Sequence, residues 1–202
     1  MVIILYMSIT SYLNIKGFYT FEGYSQEIPT QVKDLTELTN SFKTGIEIGF
    51  NGGHSAEIFL KNNKDLKLIS FDIGEHNYIN AAKEYIDLKY PNRHTLIIGD
   101  STITIPEFIK KNKNNIYDFI FIDGGHDYKI AIQDLENCLY LSNKNTLIII
   151  DDTVYNKEWG KSWTIGPTTA WLENIKNKTI VEIGNKEYFK GRGMSWGKYK
   201  FK

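Results

Sequence analysis

Five short runs of apolar, largely β-branched residues, separated by longer helical patterns, constrain this chain more than any other feature. They are Ile46-Glu47-Ile48, Leu68-Ile69-Ser70-Phe71, Thr95-Leu96-Ile97-Ile98, Phe119-Ile120-Phe121-Ile122 and Leu147-Ile148-Ile149-Ile150. Runs this continuous suit strands buried on both faces, as in a parallel sheet sandwiched by helices. Between them the spacing predicts helices over Ser55–Leu60, Asn77–Lys89, Pro106–Lys111 and Ile130–Leu141, with Pro106 suited to a first helical turn. Strand–helix alternation repeated five times implies a doubly wound α/β sheet whose ligand edge lies at the strand ends. After Asp152 the texture changes to a helix over Thr168–Ile175 and two strands, Thr179–Ile183 and Ser195–Phe201, joined by a Gly-rich turn. An antiparallel hairpin therefore closes a mostly parallel, seven-stranded sheet with helices on both faces. Val32, Leu35 and Leu38 form a helical stripe in a cap segment over 1–43, ahead of one globular domain over 44–202.

Composition narrows the class. Lys and Arg total 24 against 24 Asp and Glu, and a chain without basic excess is no general polyanion binder, so no nucleic-acid partner is expected. The lone Cys138 cannot form an internal bridge and points to a reducing compartment, the cytoplasm. The apolar stretch Met1–Met7 is broken at once by Ser8, Thr10 and Ser11, far short of the ~20 residues that span a bilayer. It reads as a strand or helix packed on the domain edge, with no membrane partner, and a homo-oligomer is left open.

The chemistry begins where the first strand ends, in Glu47-Ile48-Gly49-Phe50-Asn51-Gly52-Gly53-His54-Ser55. Glycines there admit positive φ and let a ligand touch bare main chain. The spacing departs from the dinucleotide fingerprint G-x-G-x-x-G, which removes the main argument for a nicotinamide-dependent oxidoreductase. A carboxylate two residues before the first glycine gains nothing from phosphate but would suit an ammonium. Asp72, ending the second strand, is placed to accept ribose hydroxyls or to cap a helix. Asp100, after the third strand, suits an N-cap and an adenine contact equally.

With those residues in place, the chain resembles the class I S-adenosylmethionine-dependent methyltransferases, a Rossmann-like family. Glu47, Gly49 and Gly53 match its acidic-x-Gly-x-x-x-Gly motif, Asp72 its ribose acid and Asp100 its adenine-side acid. Phe121-Ile122-Asp123-Gly124-Gly125-His126-Asp127-Tyr128 resembles the D-G-x-H-x-Y signature of small-molecule O-methyltransferases. The resemblance implies S-adenosylmethionine as cofactor, held by Glu47, Gly49, Asn51, Gly53, Asp72, Asp100 and Asp123. It also implies a small-molecule or sugar hydroxyl as acceptor, His126 with Asp123 as catalytic residues, and magnesium on Asp123, Asp151 and Asp152. Adjacent strand residues point to opposite faces, so Asp151 and Asp152 can both bind metal only if the strand has ended between them.

Two further expectations concern the last quarter. Tyr155, Trp159 and Trp163 crowd a loop at the ligand edge, where they would cover an acceptor or pack the loop down. Lys186, Lys190, Arg192, Lys198, Lys200 and Lys202 read as a solvated charged face. The rival to an enzyme is a degenerate, methyltransferase-like module that binds ligand without catalysis; the intact glycines speak against it.

Overall fold

The computed structural model describes residues 6–201. Residues 1–5 of the apolar N-terminal stretch lie outside them. The described chain opens with α1 (Ile9–Ile15), a 3-10 turn (Ser25–Glu27) and α2 (Pro29–Thr39). There follow β1 (Thr44–Ile48), α3 (His54–Asn62), β2 (Lys67–Asp72), α4 (Ile79–Lys89), β3 (His94–Ile98), α5 (Ser101–Lys111) and β4 (Phe119–Ile122). The last part is α6 (Tyr128–Leu139), β5 (Leu147–Asp151), α7 (Ser162–Lys176), β6 (Ile180–Phe189) and β7 (Arg192–Tyr199). The strands form one seven-stranded sheet in the order β3-β2-β1-β4-β5-β7-β6. β1 to β5 are parallel, and the β6–β7 hairpin adds on antiparallel to β5.

The period-2 geometry of a strand divides each apolar run between two cores. Phe119 and Phe121 of β4, with Leu147 and Ile149 of β5, face α1 to α4. Ile120, Ile122, Ile148 and Ile150 face α5, α6 and α7. Each fully buried side chain of this kind contributes roughly 1.5–3 kcal/mol, so the central runs fix which residues face up at the strand ends. Ile9, Leu13 and Leu35 of the N-terminal helices are fully buried in the first of these cores.

The sequence misplaces some boundaries. α5 starts at Ser101, so Pro106 sits in the helix interior, not in its first turn. Asp100 caps this helix, accepting from the Thr102 amide at 2.8 Å and the Thr102 hydroxyl at 2.7 Å. α7 begins six residues earlier than its apolar pattern suggests and takes in Trp163. Among the described residues no helix is long and apolar enough to cross a membrane.

Candidate active site

Chain direction across the sheet reverses at β1, which lies between β2 and β4. A crevice opens beyond the carboxyl ends of the strands at such a switch point. Two clefts occupy it and share Asp123. One is lined by Gly49, Asn51, Gly52, Ser55 and, from the N-terminal segment, Gly23–Ser25. The other lies between the ends of β4 and β5 and is lined by His126, Asp151, Asp152 and Pro167.

The first cleft is built around the glycine turn. Gly49 has φ +96°, and a Cβ there would collide with the Asp123 carbonyl, so only glycine lets β1 pass so near the end of β4. Gly53 (φ +73°) is the left-handed N-cap from which α3 starts. Asn51 is also left-handed, φ 47°, and its amide donates to Asp72 Oδ2 at 2.8 Å. The Gly74 amide donates to Asp72 Oδ1 at 2.8 Å. Asp72 is therefore aimed at the glycine turn, partly exposed beside it. Beyond it, Ile73 and Ile98 are exposed apolar side chains at the ends of β2 and β3.

Glu47 is fully buried. Its Oε1 accepts from the Ser55 hydroxyl at 2.6 Å and its Oε2 from the Ser70 hydroxyl. Burial pushes its pKa up to about 7, against the pull of the two hydroxyl bonds. Ser55 stands between Glu47 and the cleft and lines the cleft in its own right. Ser55 is a site residue that its reading as a helix opener concealed. The segment over 21–26 forms the outer wall: Tyr24 stacks on His54 with centroids 4.0 Å apart, and Gln26 Nε2 donates to the His54 carbonyl at 3.0 Å. Ser25 Oγ is buried there with no partner. Bare main chain, an acid aimed at the turn and an unpaired hydroxyl fit a nucleoside carrying an amino-acid tail.

The second cleft is acidic. Asp152 departs from the strand at φ 56°, so the chain leaves extended geometry between the paired aspartates. The consequence is a split. Asp152 Oδ2 lies 2.9 Å from His126 Nε2, whereas Asp151 Oδ1 accepts from Gln31 Nε2 at 2.7 Å. Asp123, His126 and Asp152 each offer a ligand atom within 4.8 Å of one another, and Asp152 Oδ1 is buried without a partner. Two carboxylates and an imidazole with a spare oxygen fit a divalent cation; Asp151, whose Oδ1 takes the Gln31 amide, is not among the three. The hydrogen bond to Asp152 raises the His126 pKa despite burial. Burial and the charges of Asp151 and Asp152 push the Asp123 pKa well up, and burial with Asp152 brings Asp151 to about 7.

Long-range neighbours back the aspartates of this cleft, and local spacing gave no hint of them. Gln31 comes from α2 and Arg192 from β7. Arg192 is no part of a solvated face: it is half-buried, and Asp151, Asp152 and Asp123 outweigh burial to raise its pKa. Lys186, from the same charge run, pairs with Asp34 at 2.7 Å. Gly166 lets α7 touch the His126 carbonyl, where a Cβ would collide. The loop aromatics are tied to the hairpin: Tyr155 donates to Glu182, and Trp163 Nε1 donates to the Gly191 carbonyl at 3.0 Å. Asp100, exposed and engaged by Thr102, serves as a helix cap.

This fold and these strand-end acids define a methyltransferase-type α/β domain. Residues 46–153, more than half of the chain, match the family described as a methyltransferase domain, and the protein belongs to that family. Among solved structures, it is similar to an O-methyltransferase from Bacillus cereus in complex with SAH. That match has TM-score 0.75 and 20% identity over 95% of this chain and 89% of the other. It is also similar to the O-methyltransferase TomG from Streptomyces achromogenes, involved in tomaymycin synthesis and solved with SAM. Here the TM-score is 0.73 and identity 14%, over 96% of this chain and 88% of that one. At these identities the likeness speaks to the fold. No curated protein matches the chain by sequence.

Proposed function

We propose that this protein transfers a methyl group from S-adenosylmethionine to a hydroxyl oxygen of a small molecule or sugar. The observation that carries the reading is that the two clefts meet at Asp123, with the glycine turn on one side and the His126–Asp152 pair on the other. When bound, S-adenosylmethionine supplies an electrophilic methyl group on a sulfonium. The chain's own contribution is alignment and exclusion of water. Gly49, Asn51, Gly53 and Ser55 hold the amino-acid end, Asp72 accepts from the ribose hydroxyls, and Ile73 and Ile98 offer apolar surface to the base. The 21–26 wall shields the cleft from solvent.

On the acceptor side, His126 directs Nε2 at Asp152, which leaves Nδ1 to take the proton from the acceptor hydroxyl. Asp152 orients the ring and stabilises its protonated form, the division of labour familiar from histidine–aspartate pairs. Arg192 offsets part of the charge of three crowded aspartates. Convergence of Asp123, His126 and Asp152 supports a second reading, in which the cluster holds magnesium. Held by Asp123 and Asp152, the cation would lower the pKa of an acceptor hydroxyl.

The test is methyl transfer from labelled S-adenosylmethionine to panels of phenols, sugars and other hydroxyl compounds, with and without chelator. The proposal expects labelled product with at least one acceptor and stoichiometric S-adenosylhomocysteine. Loss of turnover on chelation, restored by magnesium, favours the second reading; indifference to chelator removes it. Cofactor binding without transfer to any acceptor would favour a binding module.

A further inference from the structure

Behind the glycine turn lies a buried hydrogen-bond chain. Ser70 Oγ, which donates to Glu47 Oε2, is also 2.9 Å from His94 Nε2. Ser70 is fully buried and His94 nearly so. The His94 ring also stacks on Phe50 of the glycine turn, centroids 5.0 Å apart. Burial, aided by Lys83, lowers the His94 pKa to about 3, so the ring is neutral and carries one proton. Its Nδ1 is buried without a partner. A buried N–H with no acceptor is rarer and costlier than an unused acceptor, which places the proton on Nε2. His94 therefore donates to Ser70, and Ser70 in turn must donate to Glu47.

That fixed direction has a consequence at the cleft. Glu47 Oε2 is committed as an acceptor, so any proton on Glu47 must sit on Oε1 and be donated to Ser55 Oγ. The Ser55 hydrogen then turns toward the cleft and opposes an ammonium. With Glu47 ionised, Ser55 donates to Oε1 and shows the cleft its lone pairs. We infer that Ser70 and His94 are positioning residues that act through Glu47 and Ser55 to recognise the ammonium of the ligand's amino-acid tail. The inference rests on the proposed S-adenosylmethionine site. The charged groups around Glu47 are Asp72, ending β2, and Asp123, just past β4. Asp72 disfavours its ionisation, Glu47 and Asp123 repel each other when both are charged, and an arriving ammonium favours ionisation.

The experiment compares two product-like nucleosides by calorimetry: S-adenosylhomocysteine, which has the ammonium, and methylthioadenosine, which lacks the amino-acid tail. Ser70→Ala is expected to weaken S-adenosylhomocysteine about 10-fold, in line with a lost charge-assisted hydrogen bond, while methylthioadenosine binds as before. Because the Ser70 bond lowers the Glu47 pKa, its removal also moves the pH at which S-adenosylhomocysteine affinity declines upward. His94→Leu should shift both readouts in the same direction as Ser70→Ala but by less, because Ser70 can still donate to Glu47, and His94→Gln, which keeps a donor amide, should recover most of the selectivity. Equal weakening of both nucleosides, or an unchanged ratio and pH midpoint, would overturn the inference. If the unaltered protein binds neither nucleoside, the proposed function itself fails and takes this inference with it.

Discussion

The two clefts are built in opposite ways. The glycine-turn cleft draws most of its wall from the stretch between Glu47 and Gly74, with left-handed residues and short-range hydrogen bonds setting its shape. The acidic cleft is lined by the β4 and β5 ends with Pro167 of α7, and its aspartates are held by distant groups, Gln31 on α2 and the charge of Arg192 on β7. A ligand that every such enzyme shares can be held by a local backbone motif. An acceptor that differs between enzymes is better read by side chains brought from afar, because those can change independently of the sheet.

Breaking the acidic side should cost activity without cost to ligand binding. His126→Gln is expected to lower kcat by ~10²–10⁴-fold, the usual contribution of a positioned base. Calorimetry with S-adenosylhomocysteine should show affinity within error of the parent; a matching loss of affinity would place His126 in the other cleft. Breaking the glycine side should cost the fold. Gly49→Ala forces a Cβ onto the Asp123 carbonyl at φ +96°, and we expect about 3 kcal/mol of destabilisation in urea melts. A loss under about 1 kcal/mol would mean the two strand ends can part freely.

The comparison sharpens with pH. The Glu47 pKa of about 7 makes the free protein increasingly protonated as pH falls below that value. Ligand binding that requires ionised Glu47 then weakens roughly 10-fold per pH unit below 7 and levels off above it. Methylthioadenosine affinity should stay flat over the same range. The smallest effect concerns Asp100. As a helix cap, Asp100→Ala should cost about 1 kcal/mol of stability and Asp100→Asn almost nothing. A large, selective loss of nucleoside binding in Asp100→Asn would show that Asp100 contacts the adenine as well.

Much of this architecture was legible in the chain because the signals were local. Continuous apolar runs such as Phe119–Ile122 have one stable home, a strand covered on both faces, and the glycine spacing after Glu47 marked the turn. Pro106 misled because Asp100 and Thr102 start α5 a turn earlier than the apolar pattern does. The start of α7 was hidden for a related reason: Trp163 Nε1 is anchored to the far hairpin turn, a tertiary contact without periodicity. Side chains whose role is set by partners far away in the chain leave no spacing to read. Gln31 looks like any helix-surface glutamine until Asp151 arrives, and Arg192 looks like one more basic residue in a charged tail. The split of Asp151 from Asp152 was posed by strand geometry but answered only by the backbone at Asp152.

The central claim is that the cleft beneath the 21–26 wall takes a nucleoside with an amino-acid tail. Isothermal titration of the protein with S-adenosylhomocysteine at pH 8 tests it most directly. We predict saturable binding of one molecule per chain, weakened in Asp72→Ala and displaced by S-adenosylmethionine. Absence of heat and of any competition at millimolar ligand, with the protein shown to be folded, would contradict it.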